Sequence, residues 1–238
     1  ATVLGVHAPG LYLDVAGTVV PVVTADAVPL ATAVRLTLAS SDAPWRGLAA
    51  GDVVLVGEGL IRLPGCDIAA VRTWCPTRVR PLPSPQCGSG GQGSPLRTHG
   101  GVEALLGRGP GLTPAGDDAL AGILLVAHAH GVAGPVAAAV RERLGSTTAV
   151  SAALLDAAAD GYAAATVVAL VDAAVAGDAA AVARALPAVL AIGHTSGADL
   201  VIGIAAALRH LRPLRQLGHL CQTPTSTTHT TPIGWSAA

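Results

Sequence analysis

Two stretches of this chain hold the kinds of residue that do chemistry. In GRGPGLTPAGDDALAG (residues 107–122) five glycines and two prolines surround the adjacent carboxylates Asp117 and Asp118, and GHTSGADLVIGI (residues 193–204) repeats the theme around Asp199. Aligned on Asp118 and Asp199, both read G-x-D-x-x-x-G-I, so each aspartate stands four residues ahead of a glycine, Gly122 or Gly203. Residues i and i+4 share a helix face. The pattern therefore predicts a carboxylate near a helix N-terminus and, one turn on, a bare patch against which a second helix can lie. Glycine-rich backbone running into a helix collects N–H groups that hold anions. Adjacent carboxylates repel an anion unless a cation stands between them. The combination thus points to phosphate with Mg²⁺ held by Asp117, Asp118 or Asp199, or to a substrate amide donating to an aspartate. The bland alternative is a pair of capped helix junctions, each cap contributing about 1 kcal/mol.

The neighbouring residues fit a site for a small anionic molecule. Arg108 is a candidate oxyanion clamp, because a guanidinium fork matches carboxylate or phosphate. The backbone amides of Gly109, Gly111 and Leu112 complete an anion nest, with Gly197 closing the second loop. Thr113, Thr195 and Ser196 are candidate donors to a developing oxyanion, each such donor typically worth about 3 kcal/mol. His194 joins Asp117, Asp118 and Asp199 as a candidate acid or base. Thr147, Thr148 and Ser151 in STTAVSAALL read first as a helix cap. His128 and His130, two apart on a predicted helix, point to different faces and suit packing better than shared ligation.

Composition narrows the field. All 14 basic residues are Arg, which excludes a Schiff-base lysine and a complete phosphate-binding P-loop. They are scattered and the formal charge is -1, so no nucleic-acid partner is expected. Cys66, Cys75, Cys87 and Cys221 show no CxxC spacing and no secretory segment precedes them, which predicts reduced thiols and a cytoplasmic protein. Residues 119–140 are strongly apolar but carry His128, His130, Gly131, Gly134 and Pro135, so no membrane span is expected.

These residues need a scaffold, and the chain predicts an α+β one. Residues 1–80 carry short β-like runs, GLYLDVAGTVVPVVT with a hairpin turn at Ala16-Gly17, then TAVRLTLAS and GDVVLVGEGLIRL. They predict a small β-rich barrel or sandwich, its core anchored by Trp45 and Trp74. Residues 81–97 read as a Pro/Gly/Ser linker, 98–216 as an α-helical bundle and 217–238 as a flexible tail. Helices are expected near 101–106, 117–130, 135–144, 147–159, 163–176, 178–190 and 197–211. With no Phe and no Met, the helical core must form by close approach of Ala, Val and Leu faces.

On GRGPGLTPAGDDALAG, TTAVSAALLDAAADGYA and GHTSGADLVIGI, with weaker support from PWRGLAAGDVV and AAVRTWCP, most of residues 40–210 resembles a bacterial family associated with the AllH-type subunit of oxamate carbamoyltransferase. The resemblance implies a role late in anaerobic allantoin breakdown, in purine catabolism, where oxalurate and phosphate become oxamate and carbamoyl phosphate. It also implies partner subunits or a homo-oligomer. Family members often carry aromatics where this chain has Ala119 and Ala198, which predicts a roomier pocket. The Ser-x-Arg-Thr signature of aspartate and ornithine carbamoyltransferases is absent from the sequence. The favoured expectation is a carbamoyl-transfer enzyme or subunit acting on carbamoyl phosphate and a small 2-oxo acid amide. The alternatives are a non-catalytic anion-binding or scaffold subunit and a metal-dependent hydrolase.

Overall fold

A computed structural model describes residues 1–82 and 101–220. The expectations for most of the linker, for the tail beyond residue 220 and for Cys87 and Cys221 lie outside the described residues. The architecture is α+β: strands first, helices after. Strands β1 (Thr2–His7), β2 (Gly10–Val15), β3 (Thr18–Val23) and β4 (Val34–Arg35) form a four-stranded sheet in that order, antiparallel except where β4 runs parallel to β3. Strands β5 (Leu55–Gly57), β6 (Leu60–Arg62) and β7 (Asp67–Ala69) form a separate antiparallel sheet. Of the barrel or sandwich expected, the barrel does not close: the strands divide between two small sheets.

Local chemistry explains the first sheet. Ala16 and Gly17 both take positive φ (52° and 84°), the geometry of a tight two-residue hairpin, and the Gly17 N–H donates to Asp14 Oδ1 at 2.7 Å. Along β2 the period of two sends Leu11 and Leu13 into a core shared with Val3, Val22, Trp45 and Val54, and leaves Tyr12 on the opposite face. The Trp45 indole donates to the carbonyls of His7 and Ala8, which locks the β1–β2 turn. Trp74 is only half-buried and lies outside that core: its indole donates to the Ala33 carbonyl and its ring faces Arg35.

Seven helices follow among the described residues: α1 (Gly101–Leu105), α2 (Ala115–Ala129), α3 (Gly134–Arg141), α4 (Ala149–Ala159), α5 (Ala165–Ala176), α6 (Ala179–Leu190) and α7 (Ser196–Leu220). Helix α7 continues past residue 216 into the segment read as tail. None of the described helices is long and apolar enough to cross a membrane. Helix α2 is apolar nearly all round and lies at the centre of the bundle, as such a helix must. The chain reaches the helices before residue 80: Val79 is buried in their core, its N–H donating to the Gly161 carbonyl, and the Leu82 N–H donates to Ala129.

The crossing of α2 and α7 decides the rest. A Cβ placed on Gly122 would lie 2.3 Å from the Leu200 carbonyl oxygen, and one on Gly203 would lie 2.0 Å from that of Ala119. Ala119 and Leu200 are equivalent positions in the aligned motifs, so each copy presses its backbone into the other's glycine. The contact is reciprocal, like a small two-fold interface folded into one chain.

Candidate functional site

The crossing brings the starts of α2 and α7 side by side, and with them the two glycine loops. Thr113 Oγ1 and Ser196 Oγ lie 3.0 Å apart, a hydrogen bond between residues 83 positions apart in the chain. Asp118 and Asp199 each occupy the fourth position of their helix, so neither is a cap. Both keep a buried Oδ2 with no hydrogen-bond partner. Burial pushes the Asp118 carboxyl up to about 6; hydrogen bonding from Ser196 pulls it down, the charges of Asp199 and Asp117 raise it, and Thr113 opposes the rise.

Asp117 does a different job. It is 1% exposed, with Oδ1 accepting the Gly107 N–H at 2.7 Å and Oδ2 accepting Ser151 Oγ at 2.7 Å and Thr147 Oγ1. Its carboxylate ties the glycine loop to the start of α4, and Gly107 is needed there because a Cβ would lie 2.5 Å from the Ser146 carbonyl oxygen. The cap expected at STTAVS is Thr148, whose Oγ1 accepts the Ser151 N–H at 3.0 Å and donates to the Leu112 carbonyl, so it tethers the same loop. Thr148→Ala is expected to lower stability by about 1 to 2 kcal/mol through both losses, read as a denaturant midpoint beside wild type.

A cavity of about 310 Å³ opens beside the paired loops, with Thr113, Asp118 and Ser196 at one end. Its remaining walls come from both halves of the fold and are mainly apolar. His7 and Tyr12 enter from β1 and β2, their rings edge to face at 6.2 Å, and Tyr162 enters from the turn after α4. Burial raises the Tyr12 hydroxyl above its ordinary value. Sequence reasoning missed all three as site residues. For the tyrosines the available signal was scarcity: the chain has only two, and both line this cavity.

The remaining candidates divide clearly. Arg108, Gly109, Gly111, His194 and Thr195 are exposed on the loops and do not line the cavity; Leu112 is half-buried. Gly197 is buried, where a Cβ would lie 1.9 Å from the Val189 carbonyl oxygen, and Gly116 makes the matching approach to Leu105. His128 packs against Gly161. The donor set does not fit a magnesium site built on all three aspartates, since both oxygens of Asp117 are taken by protein donors. Among the described residues no three His, Cys, Asp or Glu side chains converge in a way that could hold a metal ion.

The charge state of Asp118 has a consequence for stability. Its folded-state pKa lies above the ordinary 3.8, so the folded chain binds more protons than the unfolded chain between these values. The stability linked to that proton is fully present below the ordinary value and is lost as pH rises through about 6. Asp118→Asn removes the penalty. The variant is expected to melt above wild type at pH 8, by on the order of 1 kcal/mol once solvent screening is discounted, and to show no gain at pH 4. A gain of equal size at both pH values would remove the charge as its cause.

Residues 105–208 match the family model described as oxamate carbamoyltransferase subunit AllH. The matched segment runs from the end of α1 into α7 and contains both glycine stretches. No solved structure matches the chain.

Proposed function

On the match of residues 105–208 to the AllH family model, we propose that this chain is a subunit of a carbamoyl-transfer assembly and that the end of its cavity holds the amide group of the acceptor. The observation that carries this reading is the buried, unpartnered Oδ2 of Asp118 beside the Thr113–Ser196 hydroxyl pair. A primary amide brings N–H donors to such an oxygen and a carbonyl to such hydroxyls. A phosphate held there would instead face the charge of Asp118 with that of Asp199 near it, and no arginine lines the cavity. The anionic end therefore falls to the exposed loop, to Arg108 and the amides of Gly109, Gly111 and Leu112, and to partner subunits.

The reaction then runs as follows. The amide nitrogen of oxamate attacks the carbonyl carbon of carbamoyl phosphate, Asp118 takes the proton that nitrogen loses, and the bond to phosphate breaks to leave oxalurate and inorganic phosphate. Thr113 and Ser196 donate to the oxygen that gains charge on the way. Exposed apolar residues on the β half, Val53 at 75%, Leu55 at 65% and Val71 at 82%, supply surface for partner chains.

The test is phosphate release from carbamoyl phosphate with and without oxamate, measured on the chain alone and after mixing with the products of neighbouring genes. A stable complex on size exclusion with oxamate-dependent release supports the reading. Oxamate-dependent release by that complex at the same rate without this chain would overturn it.

A further inference from the structure

In a chain with no phenylalanine, both tyrosines face the same space. A two-carbon amide held at Asp118 would fill only one end of that space. Beyond it, the rings of Tyr12 and Tyr162 and the side chains of Val28, Leu125, Leu154 and Val167 form walls that offer water little to bond to. The volume of about 310 Å³ lies within the range of small-molecule sites, and so does the pattern of apolar walls with a few polar groups at one end.

We propose that the cavity takes a primary amide or carbamoyl compound bearing an apolar body, its nitrogen on Asp118 and its body lying against Tyr12 and Tyr162. This rests on the reading of Asp118 above and extends it to a substrate class larger and less polar than oxamate. Each end of the cavity excludes a competing class. A fatty carboxylate would suit the walls but would set its charge against Asp118, with Asp199 close behind. A wholly apolar ligand would leave the Asp118 oxygen without a donor. A polar body would lose its water against the aliphatic walls, with little to replace it beyond what His7, Tyr12 and Tyr162 supply.

The experiment is a titration of the full chain at pH 8, followed by chemical shift or calorimetry, with acetamide, butyramide, hexanamide and hexanoate. Affinity is expected to rise about threefold per methylene, on the order of a hundredfold from acetamide to hexanamide. Hexanoate should bind at least about tenfold more weakly than hexanamide, the cost of facing an ionised carboxylate without a donor. Ala27→Leu and Ala163→Leu fill the cavity from two sides, and each should lose hexanamide while keeping acetamide. If both variants misfold by circular dichroism, the series on the unmutated chain decides. A flat series with acetamide binding that depends on Asp118 overturns this inference and leaves the amide reading intact. Equal binding of hexanoate and hexanamide, or no binding of any amide, overturns both.

Discussion

Asp118→Asn is expected to lower carbamoyl turnover of the assembled enzyme by about a hundredfold or more, with the chain still folded and still in complex. The substitution keeps the shape and removes the ability to take a proton, which isolates that one property. The same residue predicts the pH dependence. Asp118 loses its proton near pH 6, because burial and the neighbouring charges of Asp199 and Asp117 outweigh the hydrogen bonds from Ser196 and Thr113. Activity that needs the ionised form should rise through about pH 6 and level off above it. In the variant that limb should vanish. A merely structural role would lower activity at every pH by a similar factor. An unchanged kcat/KM with an unchanged pH profile would take Asp118 out of the chemistry and leave this chain the accessory role.

The second large effect concerns the helix crossing. Gly203→Ala puts a methyl 2.0 Å from the Ala119 carbonyl oxygen and Gly122→Ala puts one 2.3 Å from that of Leu200. Backbone cannot move aside as a flexible side chain can, so the helices must separate and open the core along their length. Each substitution is expected to cost about 3 kcal/mol or more, at the upper end of overpacking effects. Gly134→Ala makes a matched control: it opens α3, has no atom near its Cβ and keeps an ordinary φ, so it should be neutral or slightly stabilising. The double variant carries a further signature. Once one methyl has pushed the helices apart the second meets less resistance, so the pair should cost clearly less than the sum. A Gly203→Ala chain that melts with wild type would show that the helices do not cross there.

Much of this was legible in the residues because much of it is local. Gly, Pro and Asp punctuate the second half so closely that most helix starts follow from backbone preference alone; the end of α7 does not, since the helix expected to stop at 211 runs on to Leu220. The Ala16-Gly17 hairpin follows in the same way. The glycine at i+4 from each aspartate announces a close helix contact, since only missing side chains allow one. The repeat of that pattern anticipates that both copies face a partner, but not that each is the other's. Trp74 shows the limit of such reasoning: a tryptophan in a β-rich stretch belongs to the core by type, yet the core is closed by Trp45, and Trp74 lies at its edge with Arg35 over its ring.

Asp117 and Asp118 mark the boundary most sharply. Side by side in sequence, both carboxylates are plausible as base, ligand or anchor. Adjacent positions on a helix differ in direction by about 100°. One therefore faces Gly107, Thr147 and Ser151 and is consumed in holding the loop, while the other lines the cavity with an oxygen to spare. The repeat singles out Asp118 as the counterpart of Asp199 but does not say which carboxylate is left unpaired, because that lies in what α4 and α7 bring up to each face. The same holds for Tyr12 and Tyr162, which converge only when the sheet packs on the bundle. From its sequence alone this chain determined most of its helices, its repeated loops and the need for a tight helix crossing. Only the tertiary structure decided which carboxylate was left free, because that depends on contacts between residues far apart in the chain.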